Sequence, residues 1–243
     1  MLNKSDLIFP DWPAPANVKS LQTTRRGGFG VVPYNSLNLG SHVQDNPLTV
    51  AQNRQLLSRY LPSEPVWLNQ VHGVEVVDAA QCECIPDADA SFSHQNQVVC
   101  VTMTADCLPI LLCDRKGTVV AAVHAGWRSL CDGVIEAAVK KMQAPPADLM
   151  AWLGPAIGPD AFKVGAEVRA AFIAKDAQSE LAFTPRSDKW MGNLYLIAKQ
   201  RLANLGVNAV YGGEECTYSQ PEKYFSFRRD AVTGRMATLI WLD

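Results

Sequence analysis

The chain has 243 residues, 48% of them hydrophobic, enough to bury the core of one large domain or two small ones. A formal net charge of -2 excludes a globally basic nucleic-acid surface and leaves a small neutral or anionic ligand in a local basic pocket as the class of partner to look for. Seven cysteines scattered through apolar runs are no disulfide framework, and the start offers an acidic residue and early prolines instead of a signal-peptide core. No apolar run approaches the roughly 18 residues of a membrane span, so a reduced, cytoplasmic protein without membrane insertion is expected.

No linker or repeat interrupts the chain, so a single domain over residues 1–243 is expected. Residues 18–24 read as a strand running into Arg25, Arg26, Gly27 and Gly28, where glycines open backbone conformations closed to other residues. Two arginines there could hold an anion or be solvated on a turn. Residues 35–40 read as a loop with a short strand, and His42 follows in a polar segment as an exposed or capping residue. Asn46 as N-cap with Pro47 at the first helical position opens a helix to about residue 60. Residues 66–71 and 74–77 resemble strands separated at His72 and Gly73. Asp87 and Asp89 lie in a polar connection that reads as turn chemistry.

Residues 98–128 carry the densest signal. Apolar, β-branched runs at 98–104, 108–113 and 118–123 read as buried strands, with the polar turn 114–117 between the last two. A four-residue loop would pair Cys113 with Thr118 and bring Cys107 opposite His124, close enough to share a metal or a proton. That pairing depends on register. His124 also precedes a helix expected to end near residues 143–145, and its N-terminus would favour negative charge. Residues 149–153 read as a buried strand followed by a rigid Gly/Pro turn. Then come a short strand at 162–164, a helix at 167–174 and a weakly patterned, polar 175–190 expected to be a variable loop or short helix. Asn193 and Gly206 bracket a helix, and 207–211 and 238–242 read as strands. Residues 225–230 look β-like, which would send Arg228 and Arg229 to opposite faces. Hairpins mixed with crossovers point to an α+β domain with mixed sheets.

Two histidines and a cysteine, His72, Cys107 and His124, form a set of the kind seen in catalytic zinc sites, with an open fourth position. The same donors suit copper, but four histidines are too few for a multicopper cluster. The zinc-deaminase signature H-x-E with P-C-x-x-C is absent. A metal-free reading makes Cys107 a nucleophile with His124 as its base, hydrolysing an amide or ester. Taken singly, each would be a buried thiol or a satisfied histidine.

The segments TTRRGG (23–28), NSLNLG (35–40), NQVHG (69–73), TADCLP (104–109), AAVHAGWR (121–128), LGPAIGP (153–159) and FSFRRD (225–230) run in order along nearly the whole chain. In them the sequence resembles the YfiH-like family, also called laccase-domain or polyphenol-oxidase proteins. It departs at Ser129, where Gly is expected, and at Phe227, where Tyr is common. The resemblance implies an αββα layered fold related to cysteine hydrolases and a zinc site at His72, Cys107 and His124, copper being the alternative metal. It implies phosphate-dependent cleavage of adenosine, inosine, guanosine and 5′-methylthioadenosine, together with adenosine deamination, in a monomer or homodimer. Arg25, Arg228 and Arg229 would be anion contacts and Asn38 a ribose or base contact. The family also carries an editing activity, hydrolytic removal of misincorporated L-serine or glycine from UDP-MurNAc.

Overall fold

Strand alternation lays down two face-to-face sheets, each with a helical layer outside it. In chain order the computed structural model, which describes residues 2–243, has β1 (Leu7–Ile8), β2 (Val18–Thr23), α1 (Pro47–Leu57), β3 (Val76–Asp78), β4 (Ala90–Ser93), β5 (Cys100–Thr104), β6 (Leu108–Asp114) and β7 (Val120–Ala125). There follow α2 (Trp127–Asp132), α3 (Val134–Met142), β8 (Leu149–Leu153), β9 (Lys163–Val164), α4 (Ala166–Lys175), β10 (Phe183–Arg186) and β11 (Lys189–Gly192). The chain ends with α5 (Leu194–Leu205), β12 (Ala209–Gly212), α6 (Phe227–Asp230) and β13 (Met236–Leu242). An antiparallel sheet is ordered β1-β2-β13-β5, a mixed six-stranded sheet β12-β8-β6-β7-β4-β3, and a small one β10-β11-β9. No helix is long and apolar enough to cross a membrane among the described residues.

The period of two along the strands sorts side chains between layers. On β6, Leu108, Ile110 and Leu112 pack toward α3 and α5, while Leu111 and Cys113 face the other sheet. On β13, Ala237, Leu239 and Trp241 pack with Leu56 and Leu57 of α1, whereas Ile240 and Leu242 meet Leu111 and Val120 between the sheets. The order is therefore helices, sheet, sheet, helix, the αββα layering and mixed-sheet α+β class expected. Helix ends follow local chemistry. The Asn46 side chain accepts from the Leu48 amide at 2.9 Å, that of Asn193 accepts from Leu196 at 3.0 Å, and Gly206 closes α5 at φ 92°.

Four expectations are corrected. The β6–β7 connection is two residues longer than a four-residue loop, so Cys113 pairs with Val120 and His124 lies opposite Pro109. The Asp114 carboxylate, accepting from the amides of Thr118 and Val119 and from the Thr118 hydroxyl, sets the longer turn. A two-residue shift preserves the face, so Cys107 and His124 become diagonal neighbours on the same side. Residues 66–71 make single bridges at Val66 and Asn69 instead of a strand, because the Gln70 carboxamide itself bonds both the amide and carbonyl of Met103. Residues 225–230 turn into α6, with the Ser226 hydroxyl accepting from the Arg229 amide and Asp106 from the Arg228 amide. Residues 175–190 include the β10–β11 hairpin, ordered by pairing with β9.

Candidate metal centre

His124 is the next-to-last residue of β7 and points between the sheets with Val120 and Ala122. Cys107 immediately precedes β6. His72 lies in the tight segment after Gln70, at φ 60°. One donor atom from each of the three falls within 4.8 Å of the others, and Cys107 Sγ is 3.9 Å from His72 Nε2. The imidazoles meet edge to face with centroids 4.8 Å apart. His124 is buried, Cys107 half-buried and His72 exposed, so the set opens outward on one side.

One carboxylate organises all of this. Asp89 is fully buried, and its Oδ1 lies 2.7 Å from His124 Nδ1. The same group accepts the backbone amides of Val71, His72 and Gly73 at 3.2, 3.0 and 2.6 Å, and the Asp89 carbonyl accepts the His124 amide at 2.7 Å. Asp89 thereby holds the His72 backbone in its positive-φ conformation and fixes the His124 ring, leaving Nε2 toward the cleft. Gly126 supplies the space. A Cβ there would fall 2.8 Å from His72 Cδ2 and 3.3 Å from Cys107 Sγ.

The electrostatics follow from this packing. Burial pushes the Cys107 thiol up, but the charge and hydrogen bond of His124, with the help of His72, outweigh it and bring the pKa down to about 6. Burial likewise pulls His124 down, yet the Cys107 thiolate and Asp89 raise it to about 9. Asp89 is pushed up by burial and held below its ordinary range by His124 and the amides it accepts. Without metal the pair is a thiolate and an imidazolium. A cation in their place would have the same thiolate and two imidazole nitrogens as donors, with a carboxylate orienting one of them. The donor set fits zinc, and its softness also suits copper.

Two cavities of about 270 Å³ each meet at His72, Ala105, Cys107 and Phe227. The first is lined by Trp127, Phe162, Phe227, Arg128 and Arg228, with the Arg128 guanidinium stacked 4.4 Å over Trp127. The second is lined by His42, Gln70, Thr104, His124 and Arg235. Of the residues expected to contact substrate, Arg228 lines the first cavity. Arg25, Asn38 and Arg229 line neither. Arg25 bonds the Asn35 and Pro221 carbonyls, Asn38 bonds Gly40, Asp45 and Arg235, and Arg229 bonds the Thr217, Tyr218 and Tyr224 carbonyls and Asp230. Sequence reasoning read Asp89 as turn chemistry and gave no role to Arg128, Thr104 or Arg235. Arg128 and Thr104 had a signal, their places in AAVHAGWR and TADCLP.

Fold and site together define an αββα protein with a three-donor His-Cys-His centre at the mouth of a divided cleft. A family model described as multi-copper polyphenol oxidoreductase laccase matches residues 19–243, and the chain belongs to that family. Its curated relatives include "Purine nucleoside phosphorylase YfiH" of Shigella flexneri, 53% identical over 98% of this chain and 99% of that protein. The protein of the same name from Escherichia coli K12 is 52% identical over the same shares of the two chains. A crystal structure of a Neisseria meningitidis protein superposes with a TM-score of 0.95 at 50% identity, covering 98% of this chain and 99% of that one. Among the described residues His72, Cys107 and His124 are the one group of three such donors, which is not the array of a multicopper cluster.

Proposed function

We propose that this chain is a zinc-dependent purine nucleoside phosphorylase acting in the divided cleft at Cys107. The observation that carries the reading is the convergence of His72, Cys107 and His124, braced by Asp89, at the junction of a ring-lined lobe and one bordered by His42, Gln70 and Arg235. The names of the relatives support the reaction class. In phosphorolysis a phosphate oxygen bonds to the ribose C1′ as the C1′–N9 bond breaks. The electron pair leaves with the purine, which takes up a proton, and ribose 1-phosphate is the other product.

His72, Cys107 and His124 would hold the zinc, which would supply Lewis acidity at the junction of the lobes when bound. Trp127, Phe162 and Phe227 offer flat apolar surfaces to a purine, and Arg128 and Arg228 border them with charge. Asp89 keeps the His124 ring in one orientation throughout. The reading takes in adenosine, inosine, guanosine and 5′-methylthioadenosine as substrates, and deamination of adenosine. Assays of metal-defined protein on inosine test it. Hypoxanthine release should require phosphate, follow zinc content at one ion per chain and vanish in His72→Ala. Undiminished turnover by metal-free protein would refute it, and copper at the site would reassign the metal.

A second reading is favoured by one observation, the Cys107 thiol lowered to about 6 beside His124. It makes the site a Cys–His amidohydrolase removing L-serine or glycine from UDP-MurNAc. Release of serine from UDP-MurNAc-L-Ser that persists under chelation and is lost in Cys107→Ala would establish it. Full activity of that variant would eliminate it.

A further inference from the structure

The lobe lined by His42, Gln70, Thr104, His124 and Arg235 holds a cation with unused donors. Arg235, half-buried just before β13, donates only through Nη1, to the Thr233 and Gly234 carbonyls at 3.1 and 3.0 Å. Its Nε and Nη2 make no hydrogen bond, and it has no carboxylate in ion-pair contact. Arg25 and Arg229 differ, since each engages Nε and both Nη atoms with carbonyls or carboxamide and carboxylate oxygens. No Asp or Glu lines the lobe. The guanidinium sits 5.9 Å from the Phe227 ring centroid, and its free donors are open to an anion entering the lobe.

A second observation points the same way. Thr104, 2% exposed, lies in the wall of this lobe, and its hydroxyl, buried beneath the lobe's surface, has no hydrogen-bond partner. Thr104 shares the inter-sheet side of β5 with Cys100, toward β7 and His124. Its hydroxyl is one of several buried hydroxyls without a partner among the described residues, and it is singled out by lying in the wall of the same lobe as Arg235. His42 closes the rim. Burial, then Arg235 and Arg54, hold its imidazole below the ordinary range, so at pH 7 it offers a hydrogen bond without charge.

We propose that this lobe is an inorganic phosphate subsite in which Arg235 holds the oxyanion and Thr104, in the lobe wall, turns its hydroxyl to it, across His72, Cys107 and Phe227 from the ring-lined lobe. A forked guanidinium and a hydroxyl suit a tetrahedral oxyanion. The arrangement sets the attacking group and the leaving purine on opposite sides of the ribose. The role in turnover rests on the phosphorolysis reading; the binding of phosphate does not.

The test uses full-length, zinc-loaded wild type, Arg235→Gln, Arg235→Lys and Thr104→Val. Inorganic phosphate without nucleoside should raise the Tm of wild type, and Arg235→Gln should lose that rise. In turnover the KM for phosphate should climb about 10- to 100-fold in Arg235→Gln, the loss of a charged hydrogen bond, with the KM for inosine nearly unchanged. Arg235→Lys should recover part of it, and Thr104→Val should show a smaller rise of the same kind. Equal rises in both KM values, or an unchanged KM for phosphate in folded Arg235→Gln, overturn the assignment. If Arg235→Gln does not fold, Arg235→Lys and Thr104→Val decide it by the same criterion. A wild type that does not cleave inosine refutes the phosphorolysis reading alone. The subsite is then decided by the Tm rise, and its absence from wild type, or its persistence in Arg235→Gln, overturns it. Stabilisation by UDP but not by inorganic phosphate also overturns it, in favour of a phosphoryl group on a larger substrate.

Discussion

Asp89 shows how much one buried carboxylate can determine. It accepts from His124 and from three consecutive amides, so Asp89→Asn would set an NH2 group against N–H donors at a fully buried position. Zinc affinity should fall about 10- to 100-fold, as is usual when an orienting partner of a ligand is lost, and competition with a chromogenic chelator would measure it. An unchanged affinity would show that the amides alone hold the ligands. The Cys107 and His124 pair makes a second prediction for metal-free protein. The thiol is lowered to about 6 and ionises above it, while the imidazole is raised to about 9 and stays protonated below it, so the ion pair occupies the window between. Alkylation of Cys107 should therefore proceed at the thiolate rate at pH 7. In His124→Asn the midpoint should move up toward that of an ordinary thiol, and a pH-rate profile would reveal it.

At the scale of elements, the β6–β7 turn decides which residues can share a site. The Asp114 carboxylate is lowered because its hydrogen bonds from Thr118 and Val119 outweigh burial. A group whose pKa falls on folding stabilises the protein above its unfolded pKa and loses that contribution as pH drops through the folded value. Asp114→Ala should cost about 1–3 kcal/mol at pH 7, read by urea denaturation, and the gap from wild type should narrow under strongly acidic conditions. A gap independent of pH would place the effect in turn geometry and not in the charge. α6 makes a related point. Four residues become helical because Ser226 and Asp106 take up the amides of Arg229 and Arg228, which carries Phe227 and Arg228 to the cleft and leaves Arg229 bonded to carbonyls.

For the whole molecule, the cleft exists because two sheets pack face to face and their apolar filling ends near His124 and Thr104. Leu111, fully buried between the sheets, belongs to that filling. Leu111→Ala should destabilise the protein by about 2–5 kcal/mol in chemical denaturation, the usual cost of an unfilled core cavity. A loss well under 1 kcal/mol would mean that the sheets close over the gap.

The sequence by itself determined the alternation that builds the sheets, the capped helices after Asn46 and Asn193, and the three donors His72, Cys107 and His124. Each is a matter of local period, local capping or residue type, which neighbouring residues carry. Tertiary structure alone decided the hairpin register, the helical turn at α6, the ordering of β10 and β11, and the parts played by Asp89, Thr104 and Arg235. The reason is physical. Asp89 meets His124 across 35 residues of chain, and the Arg228 amide meets Asp106 across 122, so their partners appear only when the sheets have packed. The candidate metal centre was legible as a set of residues; its bracing carboxylate and the arginine beyond it were legible only as a place.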